Sequence, residues 1–272
     1  MASLEMRGVY KTFNAGTPDE VRALRGLDLK IEPGSFVVVI GTNGSGKSTT
    51  LNAVAGAFRV DAGTIRVAGR ELSDWPEHRR AKLIGRVFQD PLAGTAPTLS
   101  IAENLALAAG RGLPRGLGRA VSRRRAAEFR DRVRPLGMGL EDRLDNPIGS
   151  LSGGQRQALT LLMATYRRPE LLLLDEHTAA LDPKSAEQVI RLTERIVRGE
   201  HLTTMMVTHS MAHAAALGDR LVMVHQGRVI FDASGAAKHR LRPNDLLERF
   251  EELRRSDQLD ETAAQLLREV YV

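Results

Sequence analysis

The chain has 272 residues, 42% of them apolar and 4% aromatic, a composition that suits a globular protein with an aliphatic core. It contains no cysteine, which excludes disulfides, thiolate zinc sites and thiol nucleophiles. The formal net charge is +6, but nine arginines stand between Arg111 and Arg134 against only Glu128 and Asp131. The excess is therefore local, the rest of the chain is near neutral, and nucleic acid is not an expected partner.

The opening MASLEMRGVY carries no secretory pattern, so the expected compartment is the cytoplasm. Apolar runs such as FVVVI (36–40) and ALTLLMA (158–164) fall far short of the ~20 residues that cross a bilayer, so a membrane role requires a partner. LDLKIEPGSFVVVIG predicts an alternating strand, a Pro-Gly turn and a short buried strand ending at Gly41. KSTTLNAVAGAF then predicts a helix with Leu51, Val54, Ala55 and Phe58 on one face, Gly56 being an interior or terminal glycine. GTIRVAGREL predicts another strand closed by a glycine turn.

From about residue 90 to 152 no strand pattern appears, and the arginine-rich stretch reads as helix interrupted by Gly and Pro. Its charge fits a solvated face or a contact with anionic lipid. A helix follows from LSGGQRQALTLLMATYRR, then strands from LLLLD, TTMMVTH and RLVMVHQGRVIFD. Residues 236–272 predict a helical tail. The whole predicts an α/β fold with a strand-rich N-terminal part, residues 1–235 forming the main domain and 90–152 a helical insertion within it.

Three motifs carry chemistry. GTNGSGKST, from Gly41 through Thr42, Asn43, Gly44, Ser45, Gly46, Lys47 and Ser48 to Thr49, fits the phosphate-loop pattern between a buried strand and a helix. The glycines let backbone N–H groups turn toward phosphate oxygens, Lys47 adds a full charge, and Ser48 offers a hydroxyl to Mg²⁺. A dinucleotide fingerprint fits less well, since it gives Lys47 and Ser48 no role. LLLLDE places Asp175 and Glu176 at the end of a strand buried on both faces, where paired carboxylates need a cation. Mg²⁺ on a nucleotide phosphate is the expected one, with Asp175 orienting its shell and Glu176 left to position or deprotonate the attacking water. LSGGQ places Ser152, Gly153, Gly154 and Gln155 at a second helix N-terminus, another anion cradle.

In this order the motifs resemble the ATPase subunits of ATP-binding cassette (ABC) transporters over about residues 4–232. The resemblance implies a P-loop NTPase of the ABC type: a RecA-like core, an N-terminal antiparallel β subdomain and an inserted helical subdomain. It makes Gln89 in FQD the glutamine loop near the metal, LSGGQ the signature, AALD the D-loop and His209 in VTHS the switch histidine beside the γ-phosphate. His209 and His213 also have zinc-pair spacing, but HSMAH lacks the glutamate of H-E-x-x-H. An aromatic near the N-terminus stacks on adenine in the family. Phe13 in VYKTF matches that place, with Tyr10 the alternative.

His177, Ala158 and Ala180 depart from residues common in the family without removing a catalytic group. DEHTAALDP is similar to a subgroup accompanying a separate permease and a periplasmic binding protein, some assigned to tryptophan or tyrosine uptake. The resemblance thus implies an ATP- and Mg²⁺-dependent homodimer, peripheral at the cytoplasmic face of the inner membrane. It docks on membrane permease subunits served by an extracytoplasmic substrate-binding protein. The alternative is a soluble single-cassette ATPase of the cluster-assembly type.

Overall fold

The computed structural model describes residues 2–114, 120–253 and 255. Its strands, in chain order, are β1 (Leu4–Phe13), β2 (Val21–Ile31), β3 (Phe36–Ile40), β4 (Ala62–Val67), β5 (Arg70–Glu71), β6 (Ile84–Val87), β7 (Leu171–Asp175), β8 (Thr204–Val207), β9 (Arg220–His225) and β10 (Arg228–Ser234). The helices are α1 (Lys47–Ala55), α2 (Glu77–Arg80), α3 (Ile101–Ala109), α4 (Arg123–Val133), α5 (Gly153–Thr165), α6 (Pro183–Gly199), α7 (Met211–Ala216) and α8 (Gly235–His239).

Strands β2-β1-β4-β5 form an antiparallel sheet, and β10-β9-β3-β8-β7-β6 form a second, mixed one. In the second sheet β9, β3, β8, β7 and β6 run parallel, and β10 closes one edge antiparallel. The continuous apolar runs of β3 and of β7 up to Asp175 follow from burial on both faces. Val37 and Val39, with Leu171 and Leu173, join a core shared with α1 and the antiparallel sheet. Val38 and Ile40, with Leu172 and Leu174, join a core shared with α3, α4, α5 and α6. The twofold alternation of a strand thus divides one apolar run between two cores.

Between β6 and α5 the described residues contain α3, α4 and two 3-10 turns, with a lone bridge from Ser100 to Pro147 as the only β pairing. Phe129 and Val133 of α4 bury into the helical core. The arginines here serve largely local contacts: Arg111 donates to the carbonyls of Ala164 and Arg167, Arg130 to that of Glu141, and Arg132 stacks over Tyr166. Arg115 and Arg119 lie outside the described residues. So do residue 254 and residues 256–272 of the expected tail, whereas residues 243–253 are helical and dock Leu246 and Phe250 into the helical core.

One element is shorter than expected. Helix α1 stops at Ala55 because Gly56 adopts the left-handed conformation (φ 85°) and caps it, so Phe58 lies beyond the helix rather than on its face. Arg80, only 1% exposed, closes this end by donating to the carbonyls of Ala53, Val54, Trp75 and Ser73. Arg80→Ala leaves those buried acceptors unsatisfied, and we expect a loss of roughly 3 kcal/mol or more in urea unfolding. A loss under about 1 kcal/mol contradicts this role for Arg80.

Candidate functional site

The parallel strands deliver the candidate residues to one edge. Strand order β3-β8-β7-β6 places four C-terminal strand ends side by side. They lead respectively into Gly41–Lys47, into His209, into Asp175 with Glu176, and into Gln89. In open α/β sheets, this is the edge where ligands bind.

The loop after β3 is shaped for close approach of an anion to backbone. Gly46 has φ 101°, and a Cβ there meets the Ala23 carbonyl oxygen at 2.6 Å, so only glycine fits at the start of α1. Lys47 is 5% exposed, and its Nζ donates to the carbonyls of Gly41 and Thr42, both at 2.9 Å. Burial pushes the Lys47 ammonium down from its ordinary value, while the charges of Glu176 and then Asp175 oppose the shift. Ser48 presents an exposed side chain one residue into the helix, and the buried Ser45 hydroxyl has no hydrogen-bond partner.

Glu176 occupies a strained backbone position, φ 43°, fixed by its N–H donating to the Val207 carbonyl at 3.0 Å. Its Oε1 lies 2.5 Å from Nε2 of His209, a half-exposed side chain against a nearly buried carboxylate. Asp175 contacts Nη2 of Arg86 at 3.3 Å. Arg86 of the neighbouring strand thus places a cation of the chain's own against Asp175, one that the sequence reading did not name. The oxygens of Ser48, Asp175 and Gln89 are hard donors of the kind Mg²⁺ takes. Among the described residues no group of three or more His, Cys, Asp or Glu could hold a metal ion by itself, so an ion here would also need phosphate and water oxygens. The donor chemistry therefore fits Mg²⁺, and the backbone cradle fits a phosphate.

His177 is wholly buried, with Nε2 3.0 Å from the Thr193 hydroxyl. That hydroxyl donates to the Val189 carbonyl, so Nε2 carries the proton and Nδ1 is left buried without a partner. Burial, with His213 adding repulsion, depresses the His177 pKa to about 4. The unfolded value is ~6.5, so the unfolded chain binds the extra proton first and stability falls as the pH drops from about 6.5 toward 4. Between pH 7.5 and 5 this amounts to roughly 2 kcal/mol. His177→Gln should flatten that part of the urea-unfolding profile. A variant profile parallel to the parent's contradicts the assignment.

The signature residues form a capped helix start. Ser152 Oγ accepts from the Gln155 N–H, and the Gln155 side chain accepts from the Ser152 N–H, a reciprocal capping box. A Cβ on Gly154 falls 2.9 Å from the Ser185 Cβ, so this glycine also permits α5 to pack against α6. Asp182 of the D-loop caps α6 through the Ser185 N–H. Phe13 lies half-buried at the end of β1, edge-on to Phe58 at 5.2 Å, whereas Tyr10 lies over Gly26. Gln89 is exposed.

Three neighbours were not anticipated. Arg86 and Asn52 flank Asp175, and buried Gln157 of α5 donates to the Phe88 carbonyl next to Gln89. The only signals for them were an arginine inside the otherwise apolar IGRVF and a glutamine on an apolar helix face.

A parallel sheet with a phosphate loop, an acidic strand end and a histidine on neighbouring strand ends defines a P-loop NTPase of the ATP-binding cassette class. The chain belongs to the ABC transporter family, whose match covers residues 24–179, and it is an ATPase domain of that family. It is 40% identical over 248 residues to the tyrosine transport ATP-binding protein of Clostridioides difficile (strain R20291), covering 91% of this chain and 98% of that protein. It is 38% identical to the lipoprotein-releasing system ATP-binding protein LolD 1 of Caulobacter vibrioides, over 81% of this chain and 92% of that one. The dimeric ATP-binding cassette MJ0796, in a post-hydrolysis state bound to ADP and Pi, superposes with a TM-score of 0.72 at 26% identity, over 85% of this chain and 98% of that one.

Proposed function

We propose that this chain is the nucleotide-hydrolysing subunit of a solute importer, working as a head-to-tail pair in which the LSGGQ segment of one copy closes over the phosphate loop of the other. The observation that carries the reading is the grouping of Lys47, Asp175, Glu176 and His209 at the ends of adjacent parallel strands. ATP is the substrate whose phosphoanhydride is cleaved, and Ser48, Asp175 and Gln89 would hold Mg²⁺, which would neutralise phosphate charge. Lys47 and the N–H groups of Gly41–Thr49 hold the phosphates, while Phe13 takes the adenine face. His209 Nε2–H donates to Glu176 Oε1 and so fixes the carboxylate, leaving Oε2 to accept the proton of the attacking water.

Coupling to permease subunits is supported by a groove of ≈ 1120 Å³ beside the helical insertion, lined in part by Lys82, Phe88, Leu107, Leu113 and Arg125. Leu107 and Leu113 are 52% and 48% exposed, so the groove suits an apolar helix bearing carboxylates. No helix among the described residues is long and apolar enough to cross a membrane, which accords with a peripheral place at the cytoplasmic face. The similarity to a protein of tyrosine transport supports import of an amino acid or a like organic solute, delivered by an extracytoplasmic binding protein.

Ser152→Arg tests the pairing. It puts a bulky cation at an exposed helix start and removes the Ser152 cap of α5, a cost of about 1 kcal/mol that leaves the fold in place. ATP affinity of the monomer should stay within about twofold while hydrolysis falls at least tenfold, a loss confined to the closed pair. Equal losses in both quantities would overturn the proposal that the signature acts across an interface.

A further inference from the structure

Arg86 stands opposite Leu173 in the parallel register of β6 and β7, so it shares a sheet face with Asp175 two residues further on. Helix α1 covers that face, and its Asn52 accepts from Arg86 Nη2 at 2.6 Å, while Asp175 Oδ2 lies 3.3 Å from the same nitrogen. The guanidinium also stacks 4.5 Å from the Phe88 ring centroid. Both charged side chains are largely buried, 14% and 15% exposed, and Arg86 Nε has no partner.

We propose that Arg86 competes with the divalent cation for Asp175 and thereby sets the metal affinity of the site. This rests on the reading of Asp175 as a metal-holding carboxylate. The short bond to Asn52 and the Phe88 ring hold the guanidinium whether or not Asp175 is engaged. The longer contact to Asp175 is the one given up when a divalent cation arrives. Giving it up leaves a largely buried guanidinium beside a metal ion of like charge, with no carboxylate of its own. That repulsion weakens the bound metal. Because Arg86 also lines the groove next to the helical insertion, one side chain joins that groove to the metal carboxylate.

The test is Mn²⁺ binding to the full chain saturated with ADP, followed by electron paramagnetic resonance, beside ADP binding in EDTA. Arg86→Met should bind Mn²⁺ roughly tenfold more tightly than the parent, with metal-free ADP affinity changed less than twofold. Arg86→Gln, which keeps a donor for Asn52, should move in the same direction. Unchanged or weaker Mn²⁺ binding in both variants, with ADP affinity intact, overturns the competition. Failure of the parent to bind ADP in EDTA instead removes the nucleotide site itself. Without nucleotide, Asp175→Asn should lower the urea midpoint of the parent, since it strips Arg86 of its carboxylate. A midpoint unchanged or raised also overturns the proposal.

Discussion

Glu176→Gln is expected to bind Mg-ATP with near-parental affinity and to hydrolyse it at least ~100-fold more slowly, the scale of losing a general base. Glutamine keeps the size of the side chain and still accepts from His209 at the position of Oε1, so the 2.5 Å contact and the strained backbone beneath it lose little. What disappears is the carboxylate oxygen assigned to the proton of water. With ATP intact and one negative charge fewer at each closed site, two copies should stay together and run as a dimer in light scattering on gel filtration. Parental turnover by this variant would contradict the assignment of Glu176 to the attacking water.

Lys47→Ala is expected to cost roughly 100-fold or more in ATP affinity, within the range for removing one partner of a buried charge pair. The side chain sits at the first turn of α1, and its ammonium already bonds two carbonyls of its own loop, so it is held ready beside the phosphate cradle. Removing it leaves those carbonyls short of a donor but also removes a charge that burial penalises. The two effects oppose, and unfolding stability without nucleotide should shift by no more than about 1 kcal/mol. Calorimetry showing undiminished ATP binding contradicts the assignment of Lys47 to the phosphates.

The parts of the site that are local in sequence were legible from residue order alone. GTNGSGKST and LLLLDE each place a chemical group at a fixed offset from a buried strand, and the structure puts Lys47 at the start of the helix that follows β3 and Asp175 at the end of β7. The extra cation was not legible. Arg86 and Asp175 are 89 positions apart, and only the β6–β7 register brings them together. Arg80, 27 positions from Ala53, is hidden for the same reason: nothing in HRRAK shows which of its cations turns inward to cap α1.

Other residues carried a second duty that periodicity does not display. The signature glycines read as anion-binding backbone, but Gly154 also meets Ser185 of α6 so closely that a side chain there would force one of the two helices to shift. The apparent helical phase of Phe58 failed because spacing ignores the left-handed stop at Gly56. The tail read as charged helix, yet Leu246 and Phe250 are the residues that fix its described part to the core.

The central claim is that phosphate loop and signature meet between two copies, and mixing two disabled variants tests it most directly. In a Glu176→Gln background, Lys47→Ala damages the phosphate loop and Ser152→Arg the signature, so neither protein alone should retain ATP through gel filtration. A head-to-tail pair formed from one of each has both defects in one site and none in the other. The account predicts that the mixture retains one ATP per pair. A mixture that retains no more than its separate components means that loop and signature serve the same chain, and contradicts the account.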